Sequence, residues 1–167
     1  DEEARNKALK RLEDEISVSE REVAAGVNSK IAEIKTHRDR KLAELKQKVA
    51  ALEQGYDERI AEQLDPIIKE GQKLEKMLQD QMGEPSKKVI VFESTGEKVI
   101  DAGDKVANKH INHVQKIVAK RLESLENDLK GKKLRELDDL KTLSAGVKAQ
   151  ADQDMEAMRS ELDNHHH

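Results

Sequence analysis

Residues 83–103 read GEPSKKVIVFESTGEKVIDAG and separate two long segments of a different character. This middle segment contains three of the eight glycines and one of the two prolines of the chain. Two runs rich in β-branched residues, 88–92 and 97–100, flank the connection Glu93-Ser-Thr-Gly96. Such runs around a four-residue connection that contains glycine predict a short β-hairpin. An irregular loop held by buried Val and Ile side chains is the alternative interpretation.

The segments on either side of the middle have the apolar periodicity of amphipathic helices. Apolar residues recur at steps of three and four from Leu9 to Met82 and again from Val106 to Leu162. The first arm is predicted to span residues 3–82 and the second arm residues 104–162. Pro66 is expected to kink the first arm, with a break as the alternative, and Asp101 or Asp104 to cap the second.

Two amphipathic arms around a central break predict an antiparallel helical hairpin. The fold class is therefore all-α: an elongated, coiled-coil-like hairpin or bundle with a short β-hairpin or loop at its tip. We expect one domain over residues 1–164. His165, His166 and His167 resemble the remnant of a purification tag and are excluded from the fold prediction.

Charge blocks along the arms predict how they align. Residues 53–85 contain nine acids and four bases, whereas residues 105–121 contain five bases and no acid. These blocks face each other if the numbers of paired residues sum to about 186, and this register also places Gly55 opposite Gly131. A register near 172 would match the charges less well. Exposed charge pairs are weak individually, but their pattern sets the register of paired helices.

The preferred register leaves residues 1–21 beyond the end of the second arm. Leu9, Leu12 and Ile16 form an apolar edge in this segment. We therefore expect the edge to pack against a second copy of the chain, to fold back as a third helix, or to meet a segment absent from this sequence. The first of these outcomes predicts a homo-oligomer through residues 1–21.

Composition argues against catalysis, cofactor binding and nucleic-acid binding. The chain has no cysteine, aromatic residues make up 1%, and the net charge is −4. Clustered outward-facing bases and stacking aromatics, which nucleic-acid binders need, are not evident. His110 and His113 have a spacing that can hold zinc, but no third ligand converges on them, so a basic, partly exposed helix face is the favoured interpretation. We predict no enzyme activity, no metal, no cofactor and no transmembrane segment.

The middle segment is the predicted partner-binding site. It joins the only Phe of the chain to its densest β-branched cluster, and connections carry function more often than scaffolds do. The predicted residues share this segment: Val89, Ile90, Val91, Phe92, Glu93, Ser94, Thr95, Val99 and Ile100. The alternative is that they close the end of the helical seam. The arms are expected to fold without them.

These features predict a non-catalytic structural or interaction protein, a helical rod that spaces or presents a binding tip to a protein partner. An extracellular surface or coat protein of a microbe or parasite is the alternative. A peripheral lipid-binding protein fits less well, because the apolar stripes are narrow and interfacial aromatics are missing. The sequence leaves the location open, since a cytoplasmic and a cell-surface site are both compatible with it.

Overall fold

Two long helices pack against each other, and a small β-hairpin lies between them in sequence. The computed structural model describes residues 1–165 and contains α1 (Glu2–Asp80), β1 (Ile90–Phe92), β2 (Glu97–Ile100) and α2 (Asn108–His165). The predicted all-α helical hairpin with a central β-hairpin is confirmed. His166 and His167, assigned above to a tag, lie outside the described residues.

The chain forms two compact units. The hairpin unit is Ala50–Asp138, and the terminal unit combines Asp1–Val49 with the part of α2 from Asp139 onward. All predicted partner-binding residues belong to the hairpin unit.

Helix α1 continues through Pro66. Proline lacks an amide hydrogen, so the carbonyl of Glu62 has no i+4 donor at this position. The helix nevertheless runs unbroken to Asp80, and this excludes the break considered for Asp65-Pro66. Pro66 itself is exposed, and Lys69 pairs with Asp65 at 2.8 Å on the following turn.

The helices are joined by a paired connection rather than by a simple loop. Gly83 stands just beyond the end of α1 with a φ of 83°, a left-handed conformation that glycine adopts without a steric penalty. Its N–H donates to the carbonyl of Val106 at 2.9 Å, and the Val106 N–H donates to the carbonyl of Glu84 at 2.9 Å. The connection from the end of α1 to the start of α2 is thus closed at its base.

Helix α2 begins at Asn108, later than predicted, and a histidine side chain supports its first turn. The backbone N–H of Ala107 donates to Nδ1 of His110 at 3.0 Å, as in a capping box with histidine in place of Glu or Gln. The prediction that Asp101 or Asp104 caps this helix was wrong, because pairing at the base of the connection occupies that segment. His110 is also buried rather than partly exposed.

The helices align about one turn away from the predicted register. Lys133 Nζ lies 3.7 Å from Asp57 Oδ1, and a Cβ built on Gly71 would lie 2.5 Å from Cγ2 of Val118. These pairs sum to 190 and 189 rather than to 186. Charge blocks of about 17 residues still face blocks of opposite sign after a shift of one helical turn. Side-chain packing therefore determines the exact alignment of the two helices. A Cβ built on Gly55 would meet no atom within 4 Å, so the predicted apposition with Gly131 is not a close contact.

Strands β1 and β2 form an antiparallel hairpin across residues 93–96, as predicted. The carbonyl of Phe92 accepts from the N–H of Gly96 at 2.8 Å, and Gly96 has a φ of 76°. A bulge interrupts the pairing, because Ile90 faces Ile100 while Val91 faces Lys98. The extra residue turns Val99 and Ile100 to the same side, and both are buried.

One hydrophobic core joins the β-hairpin to both helices in the hairpin unit. Phe92, Leu78 and Val114 have no exposed surface, and Val106 is nearly as buried. The rest of this cluster consists of Ile67, Leu74, Ile90, Val99, Ile100 and Ile117. Removal of the β-hairpin would uncover the helix pair, so this shared core argues against the expectation that the arms fold without the middle segment, which stays a prediction.

The terminal unit buries a thinner seam. Val27, Leu45, Ala151 and Met155 are its buried apolar residues. Residues 1–16 are exposed throughout, with Leu9, Leu12 and Ile16 each more than half exposed. These three side chains have no covering surface in the described part of the chain.

Candidate functional site

The structure divides the nine predicted partner-binding residues by burial. Ile90, Phe92, Val99 and Ile100 face the helices and are inaccessible to a partner. Val89 and Val91 point outward and are 47% and 38% exposed. Glu93 and Ser94 are exposed, and Thr95 is half-buried. A partner can therefore reach one face of β1 and the turn, and Phe92 is a core residue rather than a surface anchor.

The turn of the β-hairpin is fastened to α1 by Glu70. Its carboxylate accepts the N–H of Glu93 at 2.8 Å, the N–H of Ser94 at 3.0 Å and the hydroxyl of Ser94. Hydrogen bonds to an ionised group are stronger than neutral ones. The β-hairpin is thus folded back along the helices, with its turn beside a residue ten positions before the end of α1.

Two opposing effects act on the Glu70 carboxyl. Partial burial raises the pKa of Glu70, but the hydrogen bonds from Ser94 and Glu93, together with nearby Lys73, outweigh it and hold the pKa below 4.5. A carboxyl with a lowered folded-state pKa stabilises the fold above its unfolded-state pKa. That contribution is lost as the pH falls through the folded-state pKa. Docking of the turn should therefore weaken only below about pH 4.5.

A groove of about 650 Å³ runs between α1 and β1. Pro66, Leu74 and Met77 line its helix side, and residues 88–91 line its strand side. No residue of β2 lines it, so the groove follows the edge of β1 that β2 leaves free. It therefore places an unpaired strand edge opposite a helix.

Lysines and carboxylates both line the groove. Lys69, Lys73 and Lys88 line it, together with Glu70 and Glu93. Glu70 is engaged by the turn, and Lys69 pairs with Asp65. Within residues 1–165, neither Lys73 nor Lys88 forms a salt bridge. Both lysines can thus meet an anionic group, and Lys73 also lies near the Glu70 carboxylate.

A second groove lies in the terminal unit. It encloses about 680 Å³ between residues 30–41 of α1 and residues 147–158 of α2. Its walls carry Ile34, Ala151 and Met158 with charged side chains at the rim, among them Arg38 and Asp154. Arg38 already bonds to Asp39 at 3.0 Å. Helices form both walls of this groove, so it has no open strand edge.

One histidine of the pair singled out by its spacing, His110, forms a hydrogen bond at the start of α2. His110 uses Nδ1 to accept the Ala107 N–H, and His113 lies one turn further along α2. Among the residues that the structure describes, no three His, Asp or Glu side chains come together as a metal site. The same part of the chain contains no helix apolar enough to cross a membrane.

Sequence reasoning missed two residues that build this site. Glu70 reaches the turn across more than twenty residues of sequence, and no local pattern indicates such a contact. The position of Gly71 in the sequence, by contrast, does indicate its role. This glycine falls between Ile67 and Leu74 at a position of the apolar stripe, where a residue without a Cβ permits close approach of another segment. Its neighbour across the seam is Val118.

Comparison with known protein families, curated proteins and solved structures finds no match for this chain.

Proposed function

We propose that this chain is a non-catalytic interaction protein that binds a protein partner through the outer face of its β-hairpin. The observation that carries the proposal is the alternation of buried and exposed side chains along residues 89–92. Ile90 and Phe92 fix the strand in the core, while Val89 and Val91 stay exposed beside an open groove. A firmly held strand that presents branched apolar side chains needs little ordering when it binds, and such preorganisation favours affinity.

The residues that line the groove suit binding rather than catalysis. Its charged groups are lysines and carboxylates, and the one carboxylate with a lowered pKa, Glu70, is occupied by the turn. Recognition residues on a rigid scaffold are the arrangement expected of a binding surface. The helix pair supplies the scaffold, because the same core cluster contains Leu78, Phe92 and Val114.

Photo-crosslinking in source cells tests this proposal. A photoreactive residue at Val91 should give a specific adduct with a partner protein, because that side chain is exposed and faces solvent. Leu134, which is 67% exposed on α2, is the matched control position and should give none. The adduct at position 91 should also be lost when Val89 is changed to Ser. Equal adducts at both positions, or none at either, would contradict the proposal.

A further inference from the structure

The backbone of β1 has hydrogen-bonding groups that face the groove. In an antiparallel pair, successive residues direct their N–H and C=O groups to opposite edges. The Phe92 carbonyl accepts from Gly96, so it points toward the β2 side. The backbone groups of Val91, and of Val89 beyond it, therefore point to the free edge.

A hydrogen bond to Glu70 shows which way the free edge of β1 faces. The N–H of Glu93, two residues after Val91, donates to Glu70 at 2.8 Å and thus points toward α1. The turn end of the free edge is closed by this bond. The edge at Val91 and Val89 has no β-strand beside it and borders about 650 Å³ of open groove.

The charged side chains beside this edge favour a ligand that carries carboxylates. Lys73 stands on the helix wall and Lys88 at the start of the strand wall, and both line the groove. Glu93 stands near the turn, at the end of the groove away from Lys88. An extended segment with carboxylates beside Lys73 and Lys88 complements these two lysines. The apolar wall formed by Leu74 and Met77 would receive alternate side chains of an extended chain.

We propose that the groove beside β1 binds an extended, acidic protein segment that adds as a third strand to the free edge of β1. This inference rests on the proposed function and names the class of partner for the same surface. Main-chain hydrogen bonds to Val89 and Val91 supply affinity, and the lysines supply selection for carboxylates. In the complex, the bound segment covers the edge of β1 that is otherwise unpaired.

The test uses the full chain, labelled with ¹⁵N, and two synthetic peptides of alternating Val with either Glu or Lys. The Glu peptide should shift the amide signals of Val89 and Val91 and protect both amides from hydrogen exchange. The Lys peptide should not bind. A Glu peptide with alternate amides N-methylated keeps its charge but cannot complete a strand ladder, so it should also fail to bind.

Protein variants test the lysines. Lys73→Glu combined with Lys88→Glu should weaken binding of the Glu peptide by about tenfold or more, since two attractive contacts become repulsive. Lys109→Glu combined with Lys116→Glu is the charge-matched control on exposed positions of α2 outside the groove, and should change binding little. Equal loss in both double variants would show attraction by net charge alone and would overturn the inference.

The crosslinking experiment separates this inference from the proposed function. A specific adduct at Val91 together with no binding of the Glu peptide would overturn the acidic-strand inference and leave the interaction surface standing. Undiminished binding of the N-methylated peptide would also overturn strand addition. Without a specific adduct at Val91, the proposed function fails as well.

Discussion

Replacement of Phe92 by Ala will lower the free energy of unfolding by about 3–5 kcal/mol. The phenyl ring has no exposed surface and shares one core with Leu78 and Val114. Its removal leaves a cavity that the surrounding helices cannot fill without shifting. Chemical denaturation followed by circular dichroism measures the change.

Val91→Ala is the control for that substitution. It lies next to Phe92 on the same strand, but 38% of its surface remains exposed. The loss should stay below about 1 kcal/mol, as for surface substitutions away from special features. If the two variants lost similar stability, or if Phe92→Ala cost less than about 1 kcal/mol, the β-hairpin would not belong to the core.

Gly71→Ala will destabilise the hairpin unit by about 1–3 kcal/mol, although Ala is the better helix former by about 1 kcal/mol. The added Cβ would lie 2.5 Å from Cγ2 of Val118. Valine on a helix has one strongly preferred rotamer and cannot swing its methyl group away. The helices must therefore separate at this point.

Two comparisons isolate the steric effect. Gly55→Ala adds a Cβ that meets no atom within 4 Å, so it should stabilise the chain by up to about 1 kcal/mol. Val118→Ala in the Gly71→Ala background removes the clashing methyl, and a double-mutant cycle should show favourable coupling between the two changes. A stabilising Gly71→Ala would contradict the close approach at Val118 and the register built on it.

The sequence predicts the features that local chemistry determines. The turn at residues 93–96 follows from Gly96 between two β-branched runs, and the structure pairs Phe92 with Glu97 across it. The helices follow from apolar periodicity strong enough to carry α1 through Pro66. For both the turn and the helices, the residues that predict the structure lie within a few positions of it in the sequence.

Contacts between distant residues were predicted less well. Charge blocks gave the antiparallel pairing to within about one helical turn, because a turn of displacement keeps basic residues opposite acidic ones. The docking of the β-hairpin depends on Glu70, whose partners lie more than twenty residues away. Phe92 was predicted as a surface anchor because a lone aromatic in a connection suggests recognition. The bulge beside it instead directs Val99 and Ile100 into the same core.

The central claim is that the β-hairpin folds back and docks on α1 through Glu70, which leaves the edge of β1 open to a partner. An NMR titration that follows the amide protons of Glu93 and Ser94 against pH tests it most directly. Both N–H groups donate to the Glu70 carboxylate, so both signals should move together as that carboxyl is protonated, with an apparent pKa below 4.5. Glu70→Gln should abolish this step. Amide signals of Glu93 and Ser94 that do not respond to protonation of Glu70 or to Glu70→Gln would contradict the docked arrangement.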